Sequence, residues 1–154
     1  MRKIFLLLII LNMLNGCGFT PLHLNKTNTN FSIEEVSYEG DKIINNFFKI
    51  YFRILENNEH EKKYKINVTT EYYKNVLSKD TTAEILDYQL SAKVLFKISL
   101  NEKLIKEITF VEKQNTDSIS DKFEEQKYER VIKENFASTI YNNLISELSK
   151  LNDY

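Results

Sequence analysis

The sequence predicts a single α+β domain, a two-layer sandwich in which an approximately four-stranded, mainly antiparallel sheet carries two helices on one face. Between residues 64 and 112, apolar and polar side chains alternate in three runs, which is the period of half-buried strands. In two other segments apolar residues recur at helical spacing. Since an amphipathic helix must cover its apolar face, the predicted order β-α-β-β-β-α places both helices against the sheet.

The first strand is predicted at Phe31 to Tyr38 and ends before Gly40. Asp41 then caps a helix, because its carboxylate can accept hydrogen bonds from the first backbone N–H groups. Two neighbouring apolar stripes predict a broad face that lies against the sheet, although part of it could serve a partner. The first stripe contains Ile43, Phe47, Ile50 and Ile54, and the second Ile44, Phe48, Tyr51 and Leu55. The polar positions left for water are Asn45, Asn46, Lys49, Arg53 and Glu56.

Three further strands are predicted as an antiparallel meander with one solvated face. The second strand covers Tyr64 to Tyr72, and turn residues follow at Ser78 to Asp80. The third, Leu86 to Leu100, has the cleanest alternation, and at roughly 3.3 Å per residue it would extend about 50 Å, so we expect a bulge or bend in it. Asn101-Glu102 predicts a tight hairpin into the fourth strand, Leu104 to Glu112.

A long helix is predicted from Lys122 to Leu151. Asp121 and Glu124 have the spacing of a helix-start box, with Asp in place of Ser or Thr. The residues expected to face the sheet are Ala137, Ile140, Tyr141, Leu144, Leu148 and Leu151, with Tyr128, Val131 and Ile132 before them.

Composition favours a binding protein over an enzyme. The chain has 21 basic and 22 acidic side chains, so it lacks the basic surface of a general nucleic-acid binder. Three glycines leave no Gly-rich phosphate loop. The histidines, His23 and His60, lie in polar segments, and Glu59-His60-Glu61 is better explained as solvated charge than as a metal site. We therefore expect no catalytic residues, no metal and no cofactor other than lipid.

The first seventeen residues predict a lipoprotein signal. Met1 to Lys3 is basic, Ile4 to Leu14 is almost wholly apolar, and this run is too short to span a bilayer. Leu14-Asn15-Gly16-Cys17 has the pattern of a bacterial lipobox, although Asn15 is a less common choice. We expect cleavage after residue 16, an S-diacylglycerol on Cys17 and an acylated amino group. The alternatives are an ordinary signal with a chance cysteine and an uncleaved anchor.

Residues 17–30 are predicted to be a lipidated tether to a domain at 31–154. Gly18 follows the lipidated position directly. In many Gram-negative bacteria Asp at this place retains a lipoprotein at the inner membrane, so Gly18 favours the outer membrane. The alternative is a flexible residue with no role in sorting.

The stretch Cys17-Gly18-Phe19-Thr20-Pro21-Leu22 resembles the start of mature LPS-assembly lipoproteins, the LptE family, notably the alphaproteobacterial type. His23 stands where an aromatic such as Tyr is common. The order of predicted elements is also similar to that family. The resemblance implies a two-layer α/β domain at the inner leaflet of the outer membrane. It implies residence inside a large LptD-like β-barrel, the LPS translocon, which the protein would plug and stabilise, together with LPS binding and no enzymatic activity.

Three lysines on the predicted solvated face are candidates for contact with anionic LPS. Lys93 and Lys97 flank Leu95 on the third strand, and Lys65 lies on the second. Charged hydrogen bonds from such groups suit phosphate; the alternative is ordinary solvated lysine. Two other function classes stay open: a lipid-tethered periplasmic carrier of a small apolar ligand, which needs a cavity between sheet and helices, and an enzyme or inhibitor with a site that the sequence does not reveal.

Overall fold

A computed structural model describes residues 31–53, 55, 60 and 62–151, which form a sheet covered by two helices. The order of elements along the chain is β-α-β-β-β-α, as predicted. The elements are β1 (Ser32–Gly40), α1 (Lys42–Phe52), β2 (Lys63–Lys79), β3 (Ile85–Leu100), β4 (Lys103–Asp117) and α2 (Lys122–Lys150).

The four strands lie in the sheet in chain order, β1-β2-β3-β4. The β2–β3 and β3–β4 pairs are antiparallel, which confirms the predicted meander. The β1–β2 pair is parallel, because α1 returns the chain to the end of the sheet where β1 began. The sheet is therefore mixed, with its one parallel pair at the β1 edge.

Both helices and the inner face of the sheet share one closed apolar core. On β3 the side chains of Leu90, Ala92, Val94, Phe96 and Ile98 are all 0% exposed. Phe96 meets Phe48 of α1 edge to face, with ring centroids 5.6 Å apart. From α2, Ala137, Ile140 and Leu144 are equally buried. The helices therefore lie on one face, as predicted.

Helix α1 buries its second predicted stripe more fully than its first. Ile44 and Phe48 are 0% exposed, whereas Ile43 and Ile50 are 40% and 57% exposed. The predicted broad buried face was therefore wrong at Ile43 and Ile50, whereas Phe47 of the same stripe is partly buried against the core. A helix that lies on a sheet buries the side that faces the sheet, and residues on its outer side stay at the surface unless a further layer covers them.

Asn45 was predicted to face water but is 6% exposed. Its side-chain amide donates to the Glu39 carbonyl oxygen at 3.1 Å, and its Oδ1 accepts from Thr70 Oγ1 at 3.0 Å. A buried amide is tolerated here because both of its ends have partners. Helix α1 also ends at Phe52, so the predicted extension through Glu56 was too long.

Strands β2 and β4 are longer than predicted. Both run on past the alternating residues, to Lys79 and Asp117, because the long β3 between them supplies backbone partners. The turn therefore begins at Asp80, whose Oδ1 accepts from the backbone of Thr82 and of Glu84, each at 2.8 Å. The predicted turn at residues 78 to 80 was two residues early.

Strand β3 has the predicted irregularity near its start. The register steps from Ser78–Asp87 to Lys79–Ile85, and Leu86, predicted to face inward, is 48% exposed. At the other end of β3, Asn101 and Glu102 have φ of 50° and 62°. Positive φ at both central residues is the geometry of a tight type I′ hairpin, which confirms that prediction.

Helix α2 begins as predicted, with Asp121 Oδ1 accepting from the backbone N–H of Phe123 at 2.8 Å. Val131 was predicted to face the sheet but is 49% exposed, whereas Phe136 and Ile145 are buried without having been predicted. Neither described helix is long and apolar enough to cross a membrane.

Candidate functional site

The face of the sheet opposite the helices carries the three predicted lysines. Lys93 and Lys97 alternate with buried residues of β3, and their side chains are 50% and 49% exposed. Lys65 of β2 lies on the same face and is 30% exposed. Leu95 is half-buried between the two β3 lysines. The structure therefore brings the predicted residues together on what we call the uncovered face.

Each of these lysines has a carboxylate neighbour on an adjacent strand or turn. Lys93 Nζ lies 3.8 Å from Glu71 Oε2, and Lys97 Nζ lies 4.0 Å from Glu107 Oε2. These distances are long for direct charged hydrogen bonds. Exposed pairs of this kind contribute about 0–1 kcal/mol. The two lysines can therefore exchange their partners for an external anion at little cost.

Lys65 is held more firmly than the other two. Its ammonium donates a short hydrogen bond to Glu102 in the β3–β4 hairpin, and Glu35 of β1 lies 4.0 Å away. The hydrogen bond to Glu102 raises the pKa of Lys65 above its ordinary value. Lys65 is thus the least available of the three for an external anion.

A charged cluster that the sequence did not predict joins β2 to the start of α2. Lys74 contacts Glu125 at 2.6 Å and also donates to Glu129, and its Nζ lies 4.2 Å from the centroid of the Tyr88 ring. Hydrogen bonds from Lys74 and then from Lys122 lower the pKa of Glu125. The sequence did contain a signal for this position. Lys74 is two residues after Tyr72, so the alternation of β2 places both side chains on the face of the sheet that the helices cover. The cluster links β2 to α2, and the cavity that these residues line has a volume of only about 10 Å³.

A second internal ion pair links the two helices. Lys133 of α2 is 8% exposed, and its Nζ lies 2.6 Å from Asp41 Oδ2 and 3.9 Å from the centroid of the Tyr72 ring. Asp41 meanwhile caps α1 through its other oxygen. Burial, followed by the nearby Glu129 carboxylate, raises the pKa of Tyr72. Every polar atom named here has a partner, so this pair fixes the helices and offers nothing to a substrate.

Several predicted site residues lie outside the described residues. Cys17, Gly18 and His23 belong to this group, as do Glu59 and Glu61. His60 is described and half-buried. Among the described residues no group of three or more His, Cys, Asp and Glu side chains could hold a metal ion. The predictions of lipidation, sorting and solvated charge at these positions stay predictions.

A groove lies between β1 and the C-terminal end of α1. It has a volume of about 460 Å³ and is lined by Val36, Tyr38, Lys49, Ile50 and Arg53. Ile50 belongs to the apolar stripe that the sheet leaves uncovered. We call this feature the β1–α1 groove. It was not predicted as a site, although the first apolar stripe of α1, which contains Ile50, was a signal for it.

Comparison with known proteins identifies solved structures that share the fold of this domain. No family model and no curated protein matches the sequence. The structure is similar to rare lipoprotein B from Shewanella oneidensis, with a TM-score of 0.58 and 13% identity over 77% of this chain and 98% of that one. It is also similar to a minor lipoprotein from Acinetobacter baumannii, with a TM-score of 0.52 and 14% identity over 74% and 94%.

A third similar structure, from Caulobacter crescentus, is also described as a lipoprotein. Its TM-score is 0.56, with 12% identity over 77% of this chain and 89% of that one. At these identities the likeness shows a shared fold. The domain therefore has the two-layer architecture found in these three bacterial lipoproteins, with nearly the whole of each matched.

Proposed function

We propose that this chain is an outer-membrane lipoprotein that plugs and stabilises the β-barrel LPS translocon, an LptD-like protein, and assists LPS assembly. The observation that carries the proposal is the fold, which matches 98% of rare lipoprotein B. The cysteine that directly follows the predicted signal supports it, as does the resemblance of residues 17–22 to LPS-assembly lipoproteins.

The first step of the proposal is lipidation of Cys17. Each buried CH₂ group contributes about 0.8 kcal/mol, so one acyl chain gives only reversible binding, whereas two or more give a stable anchor. Labelling cells with a radioactive fatty acid should mark the wild-type protein and leave Cys17→Ser unlabelled. A labelled Cys17→Ser protein would remove the basis of the anchor.

The second step is delivery to the outer membrane through Gly18. Membrane fractionation should find the wild-type protein in the outer membrane, facing the periplasm. If the species uses the aspartate signal, Gly18→Asp should retain part of it at the inner membrane. If the wild-type protein were found wholly in the inner membrane, delivery to the outer membrane would be contradicted.

The third step is contact with LPS through the uncovered face. LPS is anionic, and Lys93 and Lys97 are half exposed on a rigid strand with weakly held carboxylate neighbours. Leu95 between them adds a half-buried apolar side chain. A rigid element that presents cations is suited to phosphate recognition.

The partnership is tested by purifying the tagged protein from cells in mild detergent. We expect one large β-barrel to accompany the wild-type protein, and much less of it to accompany Cys17→Ser, which cannot reach the membrane in its anchored form. Purification of the anchored wild-type protein without such a barrel would overturn the proposed function and leave the fold unaffected.

The alternative carrier function requires a cavity between the sheet and the helices. In the part of the chain that the structure describes, the side chains at this place are packed against one another and almost fully buried, as Phe96, Phe48 and Leu144 show. An apolar ligand would have to displace this core. No observation therefore favours the carrier over the plug.

A further inference from the structure

The outer edge of β4 is a long and regular strand edge. Within the described residues β4 pairs with β3 alone, and the register shift of this pair lies between Ile98 and Ser99, so residues 106–117 continue without a bulge. At the other edge of the sheet, the Ile33 N–H already donates to the Leu55 carbonyl oxygen at 3.4 Å. The β4 edge is therefore the more open of the two, and it presents backbone N–H and C=O groups to a strand that can align with it.

The side chains of β4 have a charge pattern that is symmetric about the middle of the strand. Residues 106–113 read Lys-Glu-Ile-Thr-Phe-Val-Glu-Lys, so charged pairs of opposite order flank four uncharged residues. Alternate residues of this segment lie on the uncovered face and are exposed, namely Glu107, Thr109, Val111 and Lys113. This exposed row therefore has a negative charge at one end and a positive charge at the other.

We propose that the β4 edge binds the β4 edge of a second copy of this chain, antiparallel, with Phe110 opposite Phe110 of that copy. The two-fold axis of such a pair is perpendicular to the sheet, so each face of one copy continues into the same face of the other. Glu107 then lies opposite Lys113 of the second copy, and Lys113 lies opposite its Glu107. Thr109 lies opposite Val111, and β-branched side chains suit neighbouring strands.

Charge restricts the registers that a symmetric pair of β4 strands can form. Opposite residues of an antiparallel pair share one face, so the centre of the pair falls on a residue. Within residues 107–112, only Thr109 and Phe110 are centres that bring opposite charges together. The other centres place glutamates opposite each other or leave the charges without an opposite partner, and like charges directly opposite are destabilising.

The ion pairs of the single copy favour the Phe110 centre. The Thr109 centre would need Lys106, whose Nζ already lies 2.8 Å from Glu147 of α2. The Phe110 centre uses Lys113, which forms no ion pair with any residue that the structure describes. The inference goes beyond the proposed function and does not depend on it, because this pairing needs neither LPS nor a barrel.

Dimerisation of the full mature protein in mild detergent tests the proposal, measured by native mass spectrometry over a range of protein concentrations. We expect the wild-type protein to form a dimer whose fraction rises with concentration. Glu107→Lys and Lys113→Glu should each weaken dimerisation by about tenfold, because each substitution places like charges opposite each other twice in the symmetric interface. Circular dichroism checks that each variant is folded. A wild-type protein that stays monomeric at every concentration overturns the proposal.

A mixture of the two single variants tests the pairing of the charges. When Glu107→Lys meets Lys113→Glu, each lysine of the first copy lies opposite a glutamate of the second. The mixture should therefore form a heterodimer about as tightly as the wild-type protein forms its dimer, although neither variant pairs well with itself. A mixture that associates no better than the separate variants overturns the proposal.

Glu112→Lys is a matched control on the same strand. With Phe110 at the centre, Glu112 lies opposite Ile108, so this substitution should change dimerisation by less than about twofold. With Thr109 at the centre it would lie opposite Lys106, and the substitution would weaken the dimer. Weaker dimerisation of Glu112→Lys with none of the expected loss in Glu107→Lys overturns the proposed register. A dimer that persists unchanged in all of these variants overturns the β4 edge as the interface.

Discussion

The two faces of β3 differ although they are built from alternate residues of one strand. Phe96 and Ile98 point toward the helices and are 0% exposed, and the Phe96 ring contacts Phe48 of α1 and Phe110 of β4. Lys93 and Lys97 point the other way and are about half exposed, with carboxylates 3.8 and 4.0 Å from their ammonium groups. The covered face therefore holds the fold together, and the uncovered face is free to change its partners.

This difference shows where function can be located without loss of stability. A closed core leaves no room for a ligand, and substitutions in it cost stability. Exposed, loosely paired charges contribute little to folding, so selection can use them for recognition. Substitutions on the covered side should therefore change stability most, and substitutions on the uncovered face should mainly change binding.

The largest effect is expected from Phe96→Ala. Its ring contacts Phe48 at 5.6 Å and Phe110 at 6.1 Å between centroids, so truncation leaves a cavity between these two rings. We expect a loss of about 3–5 kcal/mol in the free energy of unfolding, measured by urea denaturation. The control Leu95→Ala, on the opposite face of the same strand, should cost clearly less. Equal losses would contradict the assignment of the two faces.

A smaller effect is expected from Lys133→Met. The substitution keeps an apolar stem but removes the charged hydrogen bond to Asp41 at 2.6 Å. We expect a loss of about 2 kcal/mol, the usual range for a hydrogen bond to a charged group. The control is Lys127→Met, because Lys127 is 66% exposed and lies 3.6 Å from Glu124. The control should lower the free energy of unfolding by at most about 0.5 kcal/mol. If it lowered the free energy of unfolding as much as Lys133→Met, internal and exposed ion pairs would not differ in the way we expect.

A pH-dependent effect is expected from Glu147, which joins α2 to the sheet. Hydrogen bonds from Lys106 and then Lys150 lower its pKa from 4.5 to about 2. Ionised Glu147 therefore stabilises the fold above pH 4.5, and this contribution is lost as the pH falls toward 2. In the Glu147→Gln variant, the thermal midpoint should fall less steeply with decreasing pH over this interval than it does in the wild-type protein. Lys106→Met should act in the same direction, and an unchanged slope in both variants would contradict the role of this pair.

The smallest effect on stability is expected from changing Lys93 and Lys97 together to Glu. The free energy of unfolding should change by no more than about 0.5 kcal/mol, while binding of purified LPS, measured by surface plasmon resonance, should weaken. The control changes Lys42 and Lys127 to Glu, which adds the same charge on the helices. Equal LPS binding by the double mutant and the wild-type protein would show that these lysines are ordinary solvated side chains with no role in LPS binding.

The sequence was sufficient to predict the order of elements and the covered face of the sheet. Local chemistry made this possible, because the alternation in β3 and the caps at Asp41 and Asp121 each depend on residues that are close in the chain. The ends of β2 and β4 were not predictable in the same way. Residues 73–79 have no clean alternation, and they form a strand only because β3 supplies their backbone partners.

The paired charges were harder to predict than the lysines themselves. Glu71 and Glu107 lie 22 and 10 residues from Lys93 and Lys97 in the chain, and only the strand register brings them together. The same holds for Asp41 and Lys133, which are 92 residues apart. Local spacing identifies which face a side chain occupies, whereas its neighbours across the sheet depend on register, which one sequence does not specify.

Crosslinking in living cells can show whether the uncovered face makes the functional contact. A photo-reactive amino acid is placed at Leu95, between the two lysines, and separately at Val131, which is 49% exposed on α2. We expect crosslinks from position 95 to LPS or to the large β-barrel, and few or none from position 131. Crosslinks to either partner from position 131 with none from position 95 would contradict it.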